Sequence, residues 1–190
     1  MEEEQAVATA ATMAEGTAGT GTRVEEAGRR SALKVLAAVD ASEESLHALS
    51  WALDNIVRGH PDAELVIVHA QNVVDHVVYP VAGHAIAFAP PAALESMRKA
   101  QEENSRRITA RALQICNAKQ VRATVAVVEG DAKEAICQAV EQMHAGLLVL
   151  GSRGLGKIKR AFLGSVSDYL THHATCPVLV VKPPKPQATK

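Results

Sequence analysis

Aromatic residues are nearly missing from this 190-residue chain, at 3%, although 47% of its residues are hydrophobic. A core must therefore be built from Val, Leu, Ile and Ala, a mix suited to a parallel sheet covered on both faces. Charge of one sign is also lacking: 20 Lys and Arg stand against 21 Asp and Glu, a formal net charge of −1. Nothing global attracts nucleic acid or an anionic membrane, and neither is expected as a partner. No apolar run approaches the roughly 20 residues that a spanning helix needs. The three cysteines, Cys116, Cys137 and Cys176, form no CxxC pair and no cluster with zinc spacing. Three reduced thiols in a cytoplasmic protein are the expectation, with the nucleus also open. The acidic start Met1-Glu2-Glu3-Glu4 fits neither a secretory signal nor an Arg-rich transit peptide.

What is present divides the chain in three. Residues 1–31 are rich in Ala, Gly, Thr and Glu, with Val7, Met13 and Val24 the only larger apolar residues, and read as a disordered extension. Residues 32–183 read as one folded domain. Residues 184–190 form a loose, proline-containing tail.

Within the domain, apolar runs alternate with helical stripes. Residues 33–39 form a short buried strand that ends at Asp40, and Asp40-Ala41-Ser42-Glu43 offers helix caps. Leu46, Leu49, Leu53 and Ile56 then recur at helical spacing before Gly59-His60-Pro61. A second strand covers residues 64–70. Residues 71–91 mix Val73, Val74, Val77, Val78, Ile86 and Phe88 with Pro80, Gly83, Pro90 and Pro91, and read as a long apolar loop, either a lid or a packed cover. A long helix follows over about 92–116, with Leu94, Met97, Ile108, Ala112 and Ile115 facing inward and residues 101–107 solvated. Residues 121–128 make a third strand, and Asp131 with Glu134 has capping-box spacing ahead of the stripe Ile136, Val140 and Met143. Residues 146–151 make a fourth strand, 165–173 a last helix and 177–181 a last strand.

This alternation predicts right-handed crossovers and a parallel α/β sheet. Ligands of such sheets bind beyond the carboxyl ends of the strands where the winding reverses, which brings Asp40 and Gly151 into the expected site. Between the fourth strand and the last helix runs Gly151-x2-Gly154-x9-Gly164-Ser165. Glycines let backbone N–H groups approach a phosphate, and the following helix adds unpaired amides and the positive end of its dipole. The Ser165 hydroxyl either caps that helix or donates to phosphate. The Walker pattern GxxxxGK[ST] is absent, and no GxGxxG follows the first strand.

The glycine pattern, with Ala38-Val39-Asp40, Val68-His69-Ala70 and Cys176-Pro177-Val178-Leu179-Val180-Val181, resembles the universal stress protein family over residues 33–183. The match is to the ATP-binding branch, in the single-domain form found in plants. The resemblance implies an open five-stranded parallel sheet of order 3-2-1-4-5 with helices on both faces, Rossmann-like and similar to the adenine nucleotide α-hydrolases. It implies ATP or AMP as the ligand, with Mg2+ carried by a triphosphate near Asp40 and no metal held by the protein alone. Backbone at Ala38, Val39 and Asp40 would face adenine and ribose, and Ala70 would hydrogen-bond adenine. Gly151, Arg153, Gly154, Gly164, Ser165 and Val166 would surround ribose and phosphates. A homodimer through the last strand, residues 178–181, is also implied. Ala41 departs from the family, where glycine is common.

Other residues weigh differently. Asp40 serves as a ligand or as a cap. Lys157, Lys159 and Arg160 read as solvated, His172-His173 as a surface helix end, His69 as a structural histidine and Cys176 as a packing residue. The function expected is a nucleotide-dependent switch in stress response that acts on an unidentified protein partner. A slow ATPase and a holdase-like chaperone are the alternatives. No general base stands out, so binding is favoured over turnover.

Overall fold

The computed structural model describes residues 32–74, 78–81, 85–154 and 163–184. Five strands form one parallel sheet: β1 (Lys34–Ala38), β2 (Glu64–Gln71), β5 (Ala123–Glu129), β6 (Leu147–Gly151) and β7 (Val178–Val181). Their spatial order is β5-β2-β1-β6-β7. Counted within this sheet alone, that is the expected 3-2-1-4-5. The winding reverses between β1 and β6, which pair directly with Ala37 opposite Val149.

The remaining two strands, β3 (Val78–Val81) and β4 (Ala85–Phe88), pair antiparallel as a separate ribbon. The sequence suggested a structureless loop here. Two four-residue strands are too short for a clear period-two pattern. Pro80 also argues against a strand, although a two-stranded ribbon has only edges, where proline is tolerated.

Helices α1 (Glu43–Asn55) and α2 (Pro91–Ala118) cover one face of the sheet, and α3 (Ala132–Gln142) and α4 (Ser165–His173) the other. The first interface buries Val35, Ala37, Leu49, Leu53, Ile67 and Ala112 in one apolar cluster. The second buries Leu36, Val68, Ile136, Val140, Leu148 and Leu170. Alternate residues of β1 thus feed opposite clusters, as the two-residue period of a strand requires. The sheet is not covered everywhere: on the edge strand β5, Val125 and Val127 are 37% and 45% exposed.

Local chemistry sets the helix ends. The Ser42 hydroxyl caps α1 by accepting from the Ser45 amide (3.2 Å), and the Asp131 carboxylate caps α3 by accepting from the Lys133 amide (3.0 Å). Pro91 opens α2 at a position where a missing N–H costs nothing. The polar stretch of α2 is supported by the i,i+4 pairs Glu95–Lys99, Glu102–Arg106 and Glu103–Arg107. Its first half lies further from the core than its pattern suggests, since Met97 is 39% exposed. Conversely, Ser105 in the polar stretch is buried, its hydroxyl donating to Gln71 Oε1 (2.8 Å).

Candidate functional site

The carboxyl ends of β1, β2 and β6 and the start of α4 enclose a cleft of about 280 Å³. All ten residues assigned to the site from sequence line it: Ala38, Val39, Asp40, Ala70, Gly151, Arg153, Gly154, Gly164, Ser165 and Val166. They come from four separate segments, brought together by the strand order. Lys157, Lys159 and Arg160 lie outside the described residues.

The glycines differ in what they approach: Gly151 meets backbone, Gly154 meets the Asp40 side chain, and a Cβ on Gly164 would make ordinary van der Waals contact. A Cβ on Gly154 would sit 2.5 Å from Asp40 Oδ2, and one on Gly164 would sit 3.4 Å from the Arg153 Cα and 3.6 Å from the Gly154 amide nitrogen. The two limbs of the glycine loop therefore pack main chain against main chain. The Gly164 amide ties them by donating to the Ser152 carbonyl (2.9 Å). A Cβ on Gly151 would meet Glu44 C and Ser45 N of α1 at 2.9 Å, so glycine lets α1 cross the end of β6 closely.

Gly164, rather than Ser165, is the N-cap of α4. Ser165 is the first helical residue and its side chain is exposed. The first helical bond runs from the Asp168 amide to the Gly164 carbonyl (2.8 Å), so the amides of Ser165, Val166 and Ser167 precede the helical ladder. This end of the cleft favours an anion.

Asp40 is not the cap of α1 either. Its Oδ1 accepts from the Ser42 amide (3.0 Å) and from the Ser42 hydroxyl, while its backbone N–H donates to Ser45 Oγ (3.1 Å). One carboxylate oxygen is thus fixed by the chain, and Oδ2 faces Gly154 across the cleft. Among the described non-glycine residues, only Gln120 and His144 take positive φ, so Ala41 keeps an ordinary backbone angle.

Residues that the sequence did not single out complete the walls. Ala132 and Ile136 of α3, with Leu150 and Leu163, line the apolar part, and Ser45 and Ser167 line the polar part. The buried Ser167 hydroxyl donates to the Gly151 carbonyl (2.8 Å), which locks α4 to the end of β6. Its signal was its place one helical position after Val166, but serine there reads equally as a surface residue. His69 is buried, and its Nδ1 donates to the Val39 carbonyl (2.9 Å), a structural role as expected.

The remaining histidines and cysteines stay outside the cleft. His172 and His173 donate through Nδ1 to the Asp168 and Tyr169 carbonyls (2.8 Å each), and the ring of His173 stacks on Tyr169 at 3.9 Å. No group of three His, Cys, Asp or Glu suited to a metal occurs among the described residues. The three cysteines are free, and Cys176 is half-buried against the second apolar cluster.

A doubly wound parallel sheet, with a glycine cradle at the switch between β1 and β6, defines a protein of the nucleotide-binding α/β class. The sequence profile of the Universal stress protein family matches residues 32–182, and the chain belongs to that family. It is 31% identical over 159 residues to the Universal stress protein A-like protein of Arabidopsis thaliana, covering 78% of this chain and 89% of that one. It is 30% identical over 149 residues to the Universal stress protein YxiE of Bacillus subtilis, covering 78% and 98%. Among solved structures, a universal stress protein family member from Arabidopsis thaliana with AMP bound superposes with a TM-score of 0.58. That pair shares 27% identity over 82% of this chain and 97% of the other.

Proposed function

We propose that this protein binds an adenine nucleotide, ATP or AMP, in the cleft at the ends of β1, β2 and β6, and works as a nucleotide-dependent switch. The observation that carries this reading is the convergence of all ten motif residues on one cleft with two chemically distinct ends. At one end, Gly151, Gly154, Gly164 and the leading amides of α4 suit phosphate. At the other, Ala38, Ala70, Ala132, Ile136 and Leu150 offer small apolar surfaces to a flat base. Between them stands Asp40, whose Oδ2 suits a ribose hydroxyl or a Mg2+ brought by a triphosphate. The AMP held by the Arabidopsis relative supports the choice of adenine.

Hydrolysis is a weaker reading. Among the described residues, Asp40 is the one carboxylate that lines the cleft, and the chain itself already holds its Oδ1. Efficient turnover needs a group that positions water and others that neutralise developing charge. Occupancy is therefore the signal, read out through a dimer joined at β7 or through a separate protein partner, in the cytoplasm or nucleus.

Mass spectrometry of small molecules released from gently purified protein tests the assignment, together with calorimetric titration of ATP and AMP. The expected result is a co-purifying adenine nucleotide. Gly154→Asp, which drives a carboxylate against Asp40, is expected to lower nucleotide affinity by at least about a hundredfold while the thermal midpoint moves little. Unchanged affinity in that variant, or no binding by the parent protein at saturating nucleotide, sinks the reading.

A further inference from the structure

A second cavity, of about 500 Å³, adjoins the cleft at the carboxyl end of β2, on the side covered by α2. Asp40 and Ala70 line both. On the nucleotide reading, phosphates lie at the glycine loop and the start of α4, and the base lies toward Ala70, which lines both spaces. A base seated at Ala70 then has the second cavity immediately beyond it.

Among the described residues, Asp40 and His69 are the only ionisable side chains that line that space, and the rest of its wall is neutral. Val73, Val74, Met97 and Ile108 supply apolar wall, and Gln101 and Asn104 supply amides. Neither lysine nor arginine lines it among the described residues, and Asp40 is its one carboxylate. A phosphate or carboxylate would find no counter-charge there. The wall is held in shape by the Ser105 hydroxyl on Gln71 Oε1 (2.8 Å), the Gln101 amide on the Asn72 carbonyl and His69 on the Val39 carbonyl (2.9 Å). Such side chains are already committed, so they present a surface that does not need reordering when a ligand arrives.

We infer that the second cavity receives an uncharged substituent on the base, so that the site accepts adenine nucleotides enlarged at the N6 amine. This inference rests on the nucleotide reading above. It extends that reading from the nucleotide class to which derivatives are admitted.

Calorimetric titration of the full chain with AMP, N6-benzyl-AMP and the ribose-substituted 2′/3′-O-methylanthraniloyl-AMP separates the cases. N6-benzyl-AMP is expected to bind about tenfold tighter than AMP, since its ring leaves water for the Val73–Met97–Ile108 wall. Met97→Trp, a change at a half-exposed helix position, fills the cavity from α2. It is expected to remove that gain while leaving AMP affinity unchanged, and Val73→Trp provides a second filling variant should the first fold poorly. Normal AMP binding with equal or weaker binding of N6-benzyl-AMP overturns the inference and leaves the nucleotide reading standing. A gain confined to the ribose-substituted analogue overturns it too, as does a gain that survives both tryptophan variants. Failure of AMP itself to bind removes both readings.

Discussion

Gly151 shows how a residue that lines the cleft is constrained by something other than a ligand. A methyl group there meets backbone atoms of Glu44 and Ser45 at 2.9 Å, and backbone cannot rotate aside as a side chain can. Gly151→Ala is expected to push α1 off the end of β6 and cost about 1–3 kcal/mol, read as a lower midpoint in urea. A variant as stable as the parent would show that α1 does not approach so closely in solution. Cys116 makes a different prediction. It is fully buried under α2, and burial raises its thiol from 9.0 to about 11. The folded state therefore holds this proton more tightly than the unfolded chain. The stabilisation is complete below pH 9 and is lost as the pH rises through about 11. Over that window the protein should lose about 3 kcal/mol from this group. Cys116→Ala should flatten the slope of stability between these pH values while lowering stability at pH 7. If both proteins lose stability in parallel, other groups govern the alkaline limb.

At the scale of elements, Ser167 couples α4 to β6. Its buried hydroxyl is the one side-chain bond to the Gly151 carbonyl described above (2.8 Å), and no structural water is needed to explain it. Ser167→Ala is expected to cost about 1–2 kcal/mol, and to weaken nucleotide binding because the amides that open α4 are no longer held in place. Equal affinity in a destabilised variant would confine Ser167 to folding. Much of this level was legible in the sequence. The strand runs at 35–38 and 147–151 are apolar throughout because both sheet faces bury them, and Gly151 marks where α1 must approach the end of β6 closely. Other features depend on tertiary context that one sequence does not encode. Whether Asp40 or Ser42 caps α1 turns on which oxygen reaches the Ser45 amide, and both residue types are good caps. The ribbon of β3 and β4 hid behind Pro80 and the shortness of its strands. Ser105 reads as solvated by its neighbours, yet its bond to Gln71 draws it inward. Ile136 reads as part of an ordinary core stripe, and only the packing of α3 over the end of β2 turns it and Ala132 into walls of the cleft.

For the whole molecule, the sheet among the described residues ends in two edges, β5 and β7, each paired on one side only. Open edges invite a further strand unless charge, proline or shortness protects them. β7 reads Val178-Leu179-Val180-Val181 with no charge, and its first three residues are only partly buried. A second copy related by a two-fold axis would cover these residues and satisfy the free edge of the strand with its own equivalent. The Val181 carbonyl also accepts from the Ser152 amide (2.9 Å), so the strand that would face a second copy also supports the start of the glycine loop. In such a dimer, association and nucleotide binding would be linked in both directions, as any coupling between two sites must be. Sedimentation equilibrium should give a dimer at micromolar concentration, tighter in the presence of AMP. Val178→Lys with Val180→Lys should give a folded monomer whose nucleotide affinity falls by roughly the square root of the factor by which AMP tightened the dimer, because each dimer holds two sites. A dimer that persists in the double variant would move the interface to β5, where Val125 and Val127 offer the other apolar surface. A monomeric parent protein, with or without AMP, would leave the switch to act through a different partner.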